Sequence, residues 1–170
     1  MLKHYNLFAE LFIYPNFTYP DKICQLRKFL VNYQKNTVNE IENALFLIPK
    51  NVSILEELFI RTFCVQSITS LDIGYILFGD DYKRGELLVN LNQEHKKVGN
   101  NCGRELADNL ANLLKLLGKS EKSENIKKIV SELVIPAIRK IISEFTFECV
   151  KRKNILYKNY HEALLELTDN

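Results

Sequence analysis

The sequence predicts an all-α fold, and three observations carry that prediction. Apolar residues recur at three- and four-residue spacing through most of the chain, the period of one helix face. Proline, glycine, serine and aspartate punctuate those runs where helices start and stop. No stretch alternates apolar and polar residues convincingly; VSILEELFI comes nearest, and its period fits a helix better. With 170 residues, no internal repeat and no linker-like segment, the chain reads as a single compact multi-helix domain spanning 1–170.

The elements follow in order. Leu2, Tyr5, Leu7, Phe8, Leu11 and Phe12 form the first helical stripe, and Pro15 blocks its continuation. Pro20 and Asp21 suit the first turn of a second helix, whose inner positions are Ile23, Leu26, Phe29, Leu30 and Tyr33. A third helix carries Val38, Ile41, Leu45 and Ile48 up to Pro49. Ser53 and Glu56 have the spacing of a capping box and open a fourth helix with Leu55, Leu58, Phe59 and Phe63 along it. Leu71 to Phe78 is apolar almost all round apart from Asp72, so a fifth, buried helix is expected there, stopped by Gly79 in a left-handed conformation.

Asp80 or Asp81 caps a sixth helix with Leu87, Leu88, Leu91 and His95 or Val98 inside and Gly99 at its end. After the loop GNNCGR, a seventh helix begins at Glu105, buries Leu106, Leu110, Leu113, Leu114 and Leu117, and ends at Gly118. An eighth segment runs from Ile126 through Ile129, Val130, Leu133 and Val134, is kinked or split at Pro136, and continues through Ile138, Ile141, Ile142 and Phe145. A last helix uses Ile155, Leu156, Tyr160, Leu164, Leu165 and Leu167.

Composition excludes several function classes. A net charge of +2 with dispersed lysines gives a weak long-range field for phosphate, so no nucleic-acid partner is expected. Cys24, Cys64, Cys102 and Cys149 stand far apart without a CxxC or CxxH pair, and read as free thiols of a reducing compartment. The N-terminus lacks the pattern of a signal peptide, and no apolar run approaches the ~20 residues that span a bilayer. A cytoplasmic location without direct membrane insertion is the expectation. Gly-rich phosphate loops, HExxH and a nucleophile elbow are all missing from the sequence. His4, His95 and His161 are widely separated, and the carboxylate pairs Glu56/Glu57 and Asp80/Asp81 sit at helix starts, where capping explains them. The chain therefore reads as a non-enzyme with no metal site and no permanently bound cofactor.

Recognition by shape remains. Large aromatic residues gather near helix ends and loops: Tyr14, Phe17, Tyr19, Phe63, Tyr75 and Tyr82. Core filling is their commoner role, and an apolar groove for a partner helix is the functional one. Glu105 and Asp108, just after a glycine-containing loop, suit an arginine-bearing peptide, with helix capping as the competing role.

LEELFIRTF, then TSLDIGYILFGDDYKRGELLVNL, then RELADNLANLLKLLG form an ordered series that resembles the nitrate reductase delta-subunit (NarJ) branch of the TorD-like molybdoenzyme maturation chaperones. The opening LFAELFIYPN is similar to the Leu-Leu-x-Tyr-Pro-Asp start of that family, and the likeness runs through about Gly118. The signature departs from the family at Ala107 and Ala111, where prolines are usual, and at Asn109, where histidine is common; Glu105, Asp108 and Leu110 match it. The resemblance implies a cytoplasmic maturation chaperone, monomeric or homodimeric, that assists molybdenum cofactor insertion into one client of the nitrate reductase or nitrite oxidoreductase type, with other molybdoenzymes of the same superfamily also open. Its partner would be the N-terminal peptide of a molybdenum-containing catalytic subunit, and that client would carry the bis-molybdopterin guanine dinucleotide. Direct binding of a guanine nucleotide or molybdopterin-type ligand, or a role as a structural partner subunit, are the alternatives.

On that reading, Glu57, Leu58, Phe59, Phe63, Tyr75, Tyr82, Arg84, Glu105, Asp108 and Asn109 line the client-binding groove. The aromatic and leucine side chains supply apolar contact. Glu57, Glu105 and Asp108 meet basic client residues, and Arg84 orients the acidic side or meets a client carboxylate. Three or four apolar anchors of about 1.5 to 3 kcal/mol each, less the cost of ordering a peptide, give affinity on the order of micromolar.

Overall fold

The computed structural model describes residues 4–33, 49, 51–65, 67–121 and 123–152, with side chains through residue 30 and again through residue 145. The predicted third helix and the last helix lie outside these residues. The described residues contain helices and a single isolated bridge, with no strand. The elements are α1 (His4–Ala9) with a 3-10 turn (Glu10–Phe12), α2 (Tyr19–Tyr33), α3 (Val52–Phe63), α4 (Ile73–Phe78), α5 (Tyr82–Lys97), α6 (Leu110–Lys119), α7 (Glu124–Lys128), a π-helical segment (Ile129–Val134) and α8 (Ile135–Arg152). The all-α prediction holds.

The chain divides into two compact units. One is built from described residues of Met1–Ile13 and Ser70–Ala137, the other from those of Tyr14–Thr69 and Ile138–Asn170.

The first unit is organised around α6. Eight of its ten residues, Leu110 to Leu114 and Leu116 to Gly118, are buried, far more than one amphipathic stripe provides. A helix apolar nearly all round needs neighbours on every side, and α1 with its 3-10 turn supplies one wall through Phe8, Leu11 and Phe12. Gly118 does not terminate the helix, as the sequence reading has it. It lies inside α6 at the contact with α1, where a Cβ would run into the Asn6 side chain, 2.7 Å from its Cγ. Close helix approach explains this glycine. The actual stop is Ser120, whose Oγ donates to the Leu116 carbonyl at 2.7 Å.

Two further corrections concern helix starts. Asn51 caps α3, its Oδ1 accepting from the Ser53 amide at 2.9 Å, so the Ser53/Glu56 capping box is not formed and Ser53 already lies within the helix. α6 begins at Leu110 and not at Glu105; Gly103 to Asp108 is a succession of turns, and Leu106 is half exposed. Elsewhere the punctuation falls at the expected residues, with one difference of conformation. Asp81 caps α5 by accepting from the Lys83 amide at 2.9 Å, and Gly79 closes α4 with φ +62°, ψ −137°, a region open to glycine but not the left-handed helical one.

Pro136 acts upstream of itself. It has no N–H to donate and its ring crowds the carbonyl four residues back. The turns before it widen into the π-helical segment, and the Ile135 amide reaches five residues back to the Val130 carbonyl. The helical pattern changes here, with the π-helical segment ending at Val134 and α8 beginning at Ile135, just before the proline.

The second unit packs α2 through Ile23, Leu26 and Leu30. Its aromatic core runs edge-to-face from Tyr14 to Phe59 at 5.6 Å between ring centroids, on to Phe63 at 5.0 Å and then to Phe145 at 6.2 Å.

Candidate functional site

Three sequence-distant segments of the first unit meet at one polar node. The entry to α4 and the entry to α6 are lashed together by a two-bond bridge: the Ile73 amide donates to the Asp108 carbonyl at 2.9 Å and the Leu110 amide to the Leu71 carbonyl at 2.8 Å. Both chains thereby bring a carboxylate toward the first turn of α5. There Arg84 donates from Nε to Asp108 Oδ2 and from Nη2 to Asp72 Oδ2, each at 3.1 Å. The guanidinium also lies over the Tyr75 ring, 5.5 Å from its centroid.

This packing leaves no room at residue 74. A Cβ on Gly74 would approach Asp108 Oδ2 to 2.5 Å and Arg84 Cγ to 3.2 Å, so glycine is required by the ion pair itself.

Burial sets the electrostatics of the node. Asp108 is fully buried, and its Oδ1 has no hydrogen-bond partner among the described residues. Desolvation raises its pKa, with the bond to Arg84 pulling the other way. For Arg84, burial works against the charge, but the hydrogen bond and charge of Asp108, aided by Asp72, outweigh it and raise its pKa. The arrangement is one cation shared by two carboxylates in a partly dry setting.

A second polar cluster holds the loop that leads into Asp108. His95 is buried at the end of α5, with Nε2 2.9 Å from the Ala107 carbonyl and Nδ1 2.9 Å from Asn100 Nδ2. Asn100 Nδ2 also donates to the Asn112 carbonyl at 3.3 Å, and Asn112 Nδ2 donates to the carbonyls of Leu106 and Cys102. Side chains from both flanking helices therefore satisfy the backbone of a loop that has no ladder of its own.

The predicted site residues separate by unit. Tyr75, Tyr82, Arg84, Glu105, Asp108 and Asn109 belong to the first; Glu57, Leu58, Phe59 and Phe63 belong to the second. Within the first, Tyr75, Arg84 and Asp108 come together, while Tyr82 (73% exposed) and Glu105 face solvent. The assignments of Asp108, Asn109, Phe59 and Phe63 need correction. Asp108 does not present a carboxylate outward, because its charge is buried on Arg84. Asn109 is the N-cap of α6, accepting from the Ala111 amide at 3.1 Å. Phe59 and Phe63 are buried members of the aromatic core and offer no free ring face. Glu57 is exposed and pairs with Arg61 at 2.7 Å on the same helix, and Leu58 is half-buried.

Sequence reasoning missed Leu106, which is 46% exposed, and the buried His95–Asn100–Asn112 cluster. Asp72 did carry a signal, as the lone charge in an apolar run. Among the described residues, Cys24 and Cys102 are free thiols. Among the described residues, no group of His, Cys, Asp and Glu side chains is placed to hold a metal, and no helix is long and apolar enough to cross a membrane.

In comparisons with known proteins, no family model and no curated protein matches the chain.

Proposed function

We propose that this chain is a system-specific maturation chaperone. It holds the N-terminal segment of a molybdoenzyme catalytic subunit, of the nitrate reductase or nitrite oxidoreductase type, while the bis-molybdopterin guanine dinucleotide enters that client, and then releases it. It performs no catalysis itself and works in the cytoplasm.

The observation that carries this reading is the convergence at Arg84. The segments TSLD, KRG and RELAD, which make the family resemblance specific, are separated in sequence, yet Asp72, Arg84 and Asp108 are joined by two ion-paired hydrogen bonds. An ion pair partly removed from water is a poor source of stability compared with apolar packing, so a role in fixing the geometry of the surrounding surface is the better account of it. Tyr75, Tyr82 and Leu106 are carried on the same three segments and are exposed by 47%, 73% and 46%. Tyrosine and leucine at these exposures supply apolar anchors, Glu105 supplies an outward negative charge for a basic client residue, and Arg84 with Asp108 lies beneath as a brace.

Calorimetry with a synthetic peptide from the client's N-terminus tests this. Micromolar binding, weakened about tenfold or more by Tyr82→Ala with Leu106→Ala, is expected for two anchors of about 1 kcal/mol each. Unchanged affinity in that double variant would remove the surface from the account. Thermal stabilisation by a guanine nucleotide without peptide would instead favour the ligand-binding alternative, and copurification with finished enzyme would favour a structural subunit.

A further inference from the structure

The His95 cluster has a closed donor and acceptor count, and that count fixes its protonation. The carbonyls of Ala107 and Asn112 stand at its two ends, and a carbonyl only accepts. Asn100 must therefore turn its amide nitrogen toward Asn112, as the 3.3 Å contact shows, and its second N–H points at His95 Nδ1, 2.9 Å away. Nδ1 then accepts, which leaves the ring proton on Nε2, where it donates to the Ala107 carbonyl at 2.9 Å. Only the neutral Nε2–H tautomer satisfies all of these contacts.

A second proton on the ring has nowhere to go. It would set an Nδ1–H against the Asn100 N–H. Turning the Asn100 amide over relieves that clash but places its oxygen against the Asn112 carbonyl. The charged groups around the ring offer little help. On its own helix, Glu94 is taken by Lys97 at 2.6 Å, with Lys96 alongside. From α6, Lys119 donates to the Gly99 carbonyl at 3.2 Å and its charge opposes a second proton on the ring, while on the loop Arg104 and Glu105 are exposed and burial keeps the Cys102 thiol protonated.

We propose that His95 is a proton-operated latch on the 100–109 loop: closed while the ring is neutral, and opened when protonation breaks the contact with Asn100 and frees the segment that carries Leu106 and Asp108. Burial, aided by the charge of Lys119, lowers the imidazole pKa. A histidine whose folded pKa is depressed contributes its full stability above the unfolded value of about 6.5, and loses it as pH falls from there toward the folded value. The latch concerns this loop alone, so its failure would leave the proposed client binding standing.

Amide hydrogen exchange on the full chain, expressed as protection factors at pH 7.5 and 5.5, tests it. The Glu105 and Asn109 amides, which donate to the Cys102 and Leu106 carbonyls, report the loop, and Leu116 and Leu117, buried further along α6, serve as reference. Loop protection is expected to fall by up to about tenfold per pH unit below about 6.5, with the reference amides unmoved. In His95→Gln, which keeps a donor for Ala107 but cannot ionise, protection should be lower and independent of pH. An equal pH response in both proteins, or none in the wild type, overturns the proposal. Should the variant fail to fold, nitrogen chemical shifts of the wild-type ring decide. The Nε2–H tautomer at pH 7.5, with ionisation coinciding with loss of loop protection, is expected; an Nδ1–H tautomer, or ionisation with the loop still protected, overturns it.

Discussion

Removing Arg84 should cost far more than removing the charge of its buried partner. In Arg84→Met the long apolar stem is retained and the guanidinium is lost, which leaves Asp108, with its side chain fully buried, without its counter-ion. Stranding one member of such a pair costs about 3 to 5 kcal/mol. Arg84 keeps 19% of its side chain exposed, which leaves water some access and places the expectation near the lower end, about 3 kcal/mol. For a chain of this length that is a fall of about 6 to 12 °C in Tm. Asp108→Asn keeps an acceptor for Arg84 and leaves the Asp72 contact in place, so it should stay within about 1 kcal/mol of wild type. The pH dependence follows from burial, which already raises the Asp108 pKa. A carboxyl raised above its unfolded value binds its proton more readily when folded, so its charge weighs on stability at neutral pH and the penalty fades as pH falls through the folded pKa. The deficit of Arg84→Met should therefore shrink at pH 5 relative to pH 7.5. Chemical denaturation followed by circular dichroism reads all three quantities. A loss below about 0.5 kcal/mol for Arg84→Met, or a deficit that does not change with pH, would refute the buried-pair reasoning.

Two other substitutions test the corrected elements. Gly118→Ala should destabilise by about 1 to 3 kcal/mol through the clash with Asn6, although alanine is favoured over glycine inside a helix by about 1 kcal/mol. Pairing it with Asn6→Ala should turn the effect neutral or stabilising, and a persistent loss in the double variant would show that something other than close approach requires the glycine. At the start of α3, Asn51→Ala should cost about 1 kcal/mol and Ser53→Ala no more than about 0.5 kcal/mol; the reverse order in denaturation midpoints would restore the capping-box reading.

Periodicity made the helices legible, and local chemistry made some of their ends so. α2, α3 and α5 follow from apolar spacing, and Gly79, Asp81 and Gly99 punctuate as their chemistry requires, the last with φ +62°. Errors arose where two residues of similar chemistry compete for one role. Asn51 and Ser53 both cap well, and only the backbone decides between them. Glu105 and Leu106 extend the helical period of α6 toward the N-terminus, but the segment turns, and carbonyls bonded by His95 and Asn112 hold it there. Gly118 stands where a helix terminator would, and its contact with α1 is more than 100 positions away in sequence, beyond the reach of spacing.

The candidate site was read in part for the same reason. Tyr82 and Glu105 are exposed, and Arg84 meets carboxylates of this chain itself, Asp108 and Asp72. Phe59 and Phe63 carry the same residue types as a binding face, yet their partners Tyr14 and Phe145 come from distant parts of the sequence and turn them into core. The buried histidine cluster left no motif, because its acceptors are backbone carbonyls, which sequence does not distinguish.

The central claim is that the surface around Tyr75, Tyr82 and Leu106 takes a molybdoenzyme N-terminal peptide. Titrating isotope-labelled chain with such a peptide and following amide chemical shifts tests it most directly. Saturable shifts concentrated in residues 72–84 and 103–109, with the amides of α2 unmoved, are predicted. No shifts at millimolar peptide, or shifts confined to other segments, would contradict the account.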